Sequence, residues 1–408
     1  MKSVYDKKEN CCGCSACKQI CPTKSIRMEE DINGYLYPVI DINTCIDCMA
    51  CIKVCPLQVD TEMARMPQQS YAYVNLNAES RLQSASSGAF EALCMAFLQE
   101  EGNYSIYGCE LDDNLQAKHC SICDIKEIYK FKKSKYLQSK IDNEYISILR
   151  ELKKGKKVIF SGTPCQVAAL NKFLKKDFEN LFTIDFVCHG VPNQKIFSRY
   201  IEELEKKNRA KVKKYIFRNK RKIRQEWNNL GVRIDFSNGK SVEFEAEEDL
   251  YMTGFLSGLF NRDSCYKCKF ASLKRISDVT IGDFWGIDKV YPELSESKTN
   301  GTSLIMCNTL KGIEVIQNFR MNTLYSTSIE DAVRENGQLR SPQKENKKRT
   351  IFLKEFRNNK KFSVCMRKAF PEKYGFNKEK IYQMNFYIKL SKIKKFFLIN
   401  IKSKSLRQ

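Results

Sequence analysis

The sequence predicts a chain that is α+β in its first part and α/β in its second, closed by a basic, partly helical tail. Three observations predict this. Two cysteine runs of identical spacing lie within the first 56 of 408 residues. Two strand–loop–helix units follow one another between residues 158 and 204. A stripe of apolar residues at helical spacing, flanked by lysines, lies near the C-terminus.

Each cysteine run reads Cys-x-x-Cys-x-x-Cys-x-x-x-Cys-Pro. The first is Cys11, Cys14, Cys17, Cys21 and Pro22, and the second is Cys45, Cys48, Cys51, Cys55 and Pro56. In this ferredoxin-type spacing the first three thiolates of a run hold three corners of one cube, and the fourth ligates the other cluster. One 4Fe–4S cluster is therefore expected on Cys11, Cys14, Cys17 and Cys55, and a second on Cys45, Cys48, Cys51 and Cys21. Cys12 stands outside the spacing and reads as a bystander. Paired zinc knuckles fit poorly, because zinc sites rarely use four cysteines at this spacing twice, each closed by proline. Between the runs, residues 25–28 and 35–40 read as strands turning at Asn33-Gly34. The module is expected over 1–62, with 58–70, which contains Pro67, as a linker.

The chain has 19 cysteines, yet it is too long, and its cysteines too clearly in thiolate-ligand spacings, for a secreted disulfide scaffold. Such ligands need a reducing interior. Residues 1–10 are polar, so no signal peptide is expected, and no apolar run is long enough to span a bilayer. These readings predict a cytoplasmic protein. The net charge is +22, but residues 344–407 hold 20 basic and 4 acidic residues, so +16 of it belongs to the tail.

The second unit is expected to begin at 71, with a strand over 71–74. Ser86-Ser87-Gly88 then opens a helix carrying Phe90, Leu93, Cys94, Phe97 and Leu98, stopped by Gly102. Such a start leaves backbone N–H groups free for a phosphate or a flavin edge, although many plain helix caps look the same. Val158-Ile159-Phe160 reads as a buried strand that breaks at Gly162 and Thr163 into a helix begun by Pro164. Residues 183–187 repeat the pattern before a helix over 196–204. Two such units imply parallel strands, so Cys165 and Cys188 should emerge on the same sheet edge. Cys265 and Cys268 add two thiols ahead of a strand over 279–281. A third 4Fe–4S cluster, a structural zinc and unliganded core cysteines all remain open for this set. His119, Cys120 and Cys123, in an expected loop, read as incidental, while Cys94, Cys307 and Cys365 read as core. His189 could relay a proton or stand outside the ligand shell. Arg218 and Lys220 suit either an anionic cofactor group or a surface strand end.

Six segments in order resemble the motifs of the beta subunit of coenzyme F-420 hydrogenases and dehydrogenases. They are Ser86-Ser87-Gly88, Ser134-Lys135-Tyr136-Leu137-Gln138-Ser139, Ser161-Gly162-Thr163-Pro164-Cys165-Gln166, Cys188-His189-Gly190-Val191-Pro192, Phe217-Arg218-Asn219-Lys220 and Gly282-Asp283-Phe284-Trp285-Gly286. The resemblance implies a third 4Fe–4S cluster on Cys165, Cys188, Cys265 and Cys268. It also implies FAD near Ser86, Ser87, Gly88, Lys135 and Tyr136. One departure stands at Ala89, where the family commonly has a second glycine. The implied division is 71–150 and 151–330 for the family's two α/β regions, with 331–408 as the tail.

The expected function is that of an iron–sulfur flavoprotein oxidoreductase. It would relay electrons between 4Fe–4S clusters and a flavin that exchanges two electrons with an unidentified substrate or a deazaflavin-type coenzyme. The alternative is an electron-transfer adaptor for a separate catalytic partner. Either way a low-potential electron donor or acceptor is an expected partner. In the tail, Tyr382, Phe386, Leu390, Ile393, Phe397 and Ile401 form one helical stripe, suited to packing or to the surface of an anionic membrane. Nucleic acid is not expected, since no reading module accompanies the charge.

Overall fold

The computed structural model describes residues 3–58, 64–99, 102–220, 231–294, 301–319 and 323–374. Strands β1 (Ile26–Glu30) and β2 (Leu36–Ile40) pair antiparallel, Ile26 opposite Ile40, as the hairpin between the cysteine runs requires. Short helices Ala16–Ile20 and Ala50–Lys53 follow the second cysteine of each run. Ser15 (φ 63°) and Met49 (φ 59°) precede them in the left-handed region. Side chains rarely adopt that conformation, and the same turn in both runs brings three consecutive cysteines round one centre.

The remaining strands are β3 (Gln69–Tyr73), β4 (Tyr104–Leu111), β5 (Ala117–Ile122), β6 (Lys157–Ser161), β7 (Leu181–Phe186), β8 (Val212–Asn219), β9 (Gly231–Phe236), β10 (Ser241–Glu245), β11 (Val279–Asp283), β12 (Ser303–Cys307) and β13 (Leu324–Thr327). Eight form one sheet in the order β13-β3-β12-β11-β7-β6-β4-β5. Its centre is parallel: β4 with β6, β6 with β7, and β7 with β11. The flanking pairs are antiparallel. Val158, Ile159 and Phe160 of β6 are fully buried, as expected of a strand covered on both faces. The helix Pro164–Leu174 starts where Thr163 N–H donates to the Gln166 side chain (2.9 Å), so the chain leaves β6 at a capped turn. Helix Gln194–Asn208 follows β7.

A smaller antiparallel sheet, β10-β9-β8, stands beside this layer. It shares a second core with Phe197 and Tyr251, and with Phe352, Phe362 and Met366 from helices Arg349–Arg357 and Phe362–Ala369. The expected tail is thus packed on the body as far as residue 374, and its aromatic residues are what bury it. The amphipathic stripe from Tyr382 to Ile401 lies outside the described residues. Among the described residues no helix is long and apolar enough to cross a membrane.

Three local expectations change. Helix Ala89–Leu98 ends at Gln99 (φ 60°) rather than at Gly102. A short helix, Ala78–Gln83, precedes it, capped where the Asn77 side chain accepts from Ser80 N–H. His119 and Cys120 lie on β5 and not in a loop; the strand is recruited to the sheet edge by pairing with β4.

Candidate functional site

None of the 19 cysteines is in a disulfide. Cys21, Cys45, Cys48 and Cys51 surround one cavity of about 20 Å³. Cys11, Cys14, Cys17 and Cys55 surround another of about 20 Å³. The fourth cysteine of each run is thereby carried to the other run's cavity, the exchange the spacing predicts. Cys165, Cys188, Cys265 and Cys268 line a third cavity of about 40 Å³. Cys165 sits in the first turn of its helix, Cys188 two residues past β7, and the last pair on a 3₁₀ turn and just beyond it. Burial pushes these thiols up, Cys265 to about 12 and Cys268 to about 11; a metal bound there would favour the thiolates instead. Among the described residues no three His, Cys, Asp or Glu side chains converge on a point that would hold a single metal ion. In each set the sulfurs line the wall of a cavity.

Cys12, outside the ligand spacing, stands between two of these cavities. It lines both the first-run cavity, with Cys14, and the third one, with Cys165. Nothing in the spacing marks it, since its role comes from a residue more than a hundred positions away.

The third cavity shares a wall with a fourth, of about 260 Å³, at the carboxyl ends of β4, β6, β7 and β11. Ser139, Thr163, Gln166, Cys188, Gly190 and Val191 line both. Ligands of open α/β sheets bind at this edge. Ser86, Gly88, Lys135 and Tyr136 line the larger cavity. Gly88 (φ 92°) adopts a conformation that favours glycine, and it brings the chain into its helix. Lys135 Nζ donates to the carbonyls of Lys130 (3.0 Å) and Lys132 (2.7 Å). Desolvation lowers its pKa to about 8. The Tyr136 ring stacks on Phe255 with centroids 4.6 Å apart. Ser87 is not in the lining: it is fully buried, its Oγ accepts from Asn75 N–H (2.8 Å), and its N–H donates to Ser303 Oγ (2.9 Å). It braces the loop against β12. Ala89 is buried at the cavity wall.

Arg218 is buried and pairs with Asp283 at the end of β11, both in the lining. It is not a surface strand end. Lys220 Nζ donates to Ser86 O (2.6 Å), fixing the serine loop from behind. Burial and two neighbouring arginines bring its pKa down to about 7. His189 lines the cavity, and desolvation lowers its pKa. His119, read from sequence as incidental, is 4% exposed and also lines it. Its Nε2 lies 2.9 Å from Ser161 O, a carbonyl that can only accept, so Nε2 carries the proton. His119 Nδ1 and Ser86 Oγ are buried without a protein partner. Such orphan atoms in a cavity wall fit a polar ligand.

Two family models match the chain. Residues 155–333 match the model of the C terminus of the coenzyme F420 hydrogenase/dehydrogenase beta subunit, and residues 10–59 match the one described as "4Fe-4S dicluster domain". The chain thus joins a region similar to the 4Fe–4S dicluster domain to one similar to the C terminus of that family's beta subunits. A chain of the F420-reducing [NiFe] hydrogenase complex from Methanosarcina barkeri is 16% identical, with a TM-score of 0.46 over 69% of this chain and 91% of that one. No curated protein matches the chain.

Proposed function

We propose that the chain is an oxidoreductase that exchanges single electrons with a low-potential carrier and delivers them in pairs at the 260 Å³ cavity. The observation that carries this reading is the series of four cavities. The second-run cavity, with Cys48 exposed, stands at one end. The first-run and third cavities meet at Cys12, and the third and largest meet at Cys188.

In this reading twelve cysteines hold three 4Fe–4S clusters: Cys45, Cys48, Cys51 and Cys21; Cys11, Cys14, Cys17 and Cys55; and Cys165, Cys188, Cys265 and Cys268. FAD is held beside Ser86, Gly88, Lys135 and Tyr136. The flavin supplies the step that cubanes lack, the exchange of one electron for two. The protein's own residues shape that step. Tyr136 and Phe255 form an aromatic wall, and the Arg218–Asp283 pair places a fixed dipole across the cavity. His119 offers an acceptor nitrogen and Ser86 a hydroxyl. A deazaflavin-type coenzyme or another two-electron substrate would react there. In the adaptor alternative, a separate catalytic partner would take the electrons instead. The basic residues beyond 374 would give peripheral contact with an anionic membrane on the cytoplasmic side, tested by flotation with and without them.

Anaerobic purification with iron, sulfide and flavin counts tests the reading. About twelve irons and about one flavin are expected. About eight irons removes the third cluster, zinc in its place makes that site structural, and absence of flavin from cluster-replete protein leaves only the adaptor.

A further inference from the structure

Arg262 is 0% exposed. Among the described residues no carboxylate lies within ion-pair range of it. A buried guanidinium without a counter-charge is strongly unfavourable. Its donors go elsewhere. Nε donates to Cys11 O (2.7 Å), Nη2 to Leu36 O (2.8 Å), and Nη1 to the Gln138 side chain (3.2 Å). Nη2 also reaches Cys11 Sγ at 3.6 Å. The guanidinium lies 4.3 Å from the centroid of the Tyr37 ring. The same residue lines the cavity of Cys165, Cys188, Cys265 and Cys268. Gly13 makes the approach feasible. It has φ 67°, and a Cβ there would meet Arg262 Nη1 at 2.8 Å.

We propose that Arg262 is the shared counter-charge of two iron–sulfur sites, the one holding Cys11 and the one holding Cys165, Cys188, Cys265 and Cys268. This rests on the reading of those cysteines as cluster ligands. A cubane with four thiolate ligands is an anion, and reduction makes it more negative. A fixed positive charge and an N–H donor to a ligand sulfur favour the reduced state, so Arg262 raises the potentials of both sites together. The second-run site, whose cavity Arg262 does not line, is left alone. Arg262 acts through the ligands and is a positioning residue. It also fastens the ferredoxin module to the α/β body, since its own N–H donates to Val191 O (3.0 Å).

The test is an EPR-monitored redox titration of the anaerobic full-length protein. Arg262→Gln should lower the midpoint potentials of the first-run and third clusters by a tenfold or greater change in the one-electron equilibrium, about 59 mV. The second-run cluster serves as an unmoved control. Arg262→Lys keeps the charge and should restore most of the shift. Unchanged potentials in iron-replete Arg262→Gln overturn the proposal, as does an equal shift of all three clusters. If Arg262→Gln sheds iron, Arg262→Lys decides. Retained iron with near-native potentials supports the charge role, and loss of iron from both variants assigns Arg262 to packing alone. A wild-type count of about eight irons would remove the third cluster, and the shift at the Cys11 site would still test Arg262.

Discussion

Arg275 and Asp185 form an ion pair of 2.8 Å whose side chains are 2% and 0% exposed. Thr280 Oγ1 donates to the same carboxylate oxygen (2.6 Å) and accepts from Arg275 Nε (3.0 Å). Arg275 Nη1 also donates to Phe270 O (3.0 Å), two residues past Cys268, while Asp185 lies on β7, three residues before Cys188. The pair thus ties together the two segments that carry three of the four third-site thiols. Arg275→Met leaves the carboxylate buried and unpaired, a loss of about 3–5 kcal/mol. For a domain of this size that is on the order of 10 °C in melting temperature. Asp185→Asn combined with Arg275→Met removes both charges, keeps an acceptor for Thr280, and should recover most of the loss. Thermal melts of anaerobic protein, followed with iron content, read both effects. The reasoning fails if Arg275→Met melts within a degree or two of wild type, or if the double variant is no better than the single.

Three further outcomes are expected. Gly13→Ala puts a Cβ within 2.8 Å of Arg262 at a left-handed φ of 67°, and should cost at least about 1–2 kcal/mol with faster iron loss from the first-run site; an iron-stable variant would show that Arg262 and Gln138 can give way. Cys12→Ser should keep the full iron complement, because Cys12 touches ligands without being one; loss of about four irons would make it a ligand. Lys135 titrates near 8 in the folded chain through desolvation, against about 10.4 when unfolded, so the unfolded state holds the extra proton between those values and stability rises from about pH 8 to about pH 10. Lys135→Met should flatten that rise in denaturation measured against pH, and an identical slope would acquit the lysine.

Local chemistry was legible in the sequence wherever it repeats at short range. The cysteine spacing implied the exchange of Cys21 and Cys55 between cavities, and Asn33-Gly34 marked the place of the hairpin, though its turn is one residue longer than that pair alone implies, with Asp31 N–H donating to Tyr35 O (2.8 Å). The parallel pairing of β6 and β7 followed from two strand–loop–helix units in a row. What stayed hidden depends on partners far along the chain. Cys12 matters because of Cys165, Arg262 because of Cys11, and His119 because β5 is drawn to the sheet edge beside β4. No periodicity encodes such meetings. The helices between 349 and 374 were read as tail because their charge is conspicuous, whereas the buried Phe352, Phe356 and Phe362 decide where they sit. Ser87 was assigned to a ligand by its motif, and its buried hydroxyl instead serves the backbone of Asn75.

The position of β3 between β12 and β13 sets the order in which this molecule can be made. On the ribosome, residues 69–73 emerge with both strand edges unpaired, and neither partner is synthesised until residues 303–307 and 324–327 have followed. The two ferredoxin sites need only residues 11–55, so they are complete while most of the sheet does not yet exist. Cys265 and Cys268 complete the third set much later. Were all three sets to hold iron, their loading would be divided in time, early for the N-terminal module and late for the set that must wait for the sheet to close. Starvation for iron during translation should accordingly yield chains that differ in which sites are filled, rather than a uniform shortage across them all.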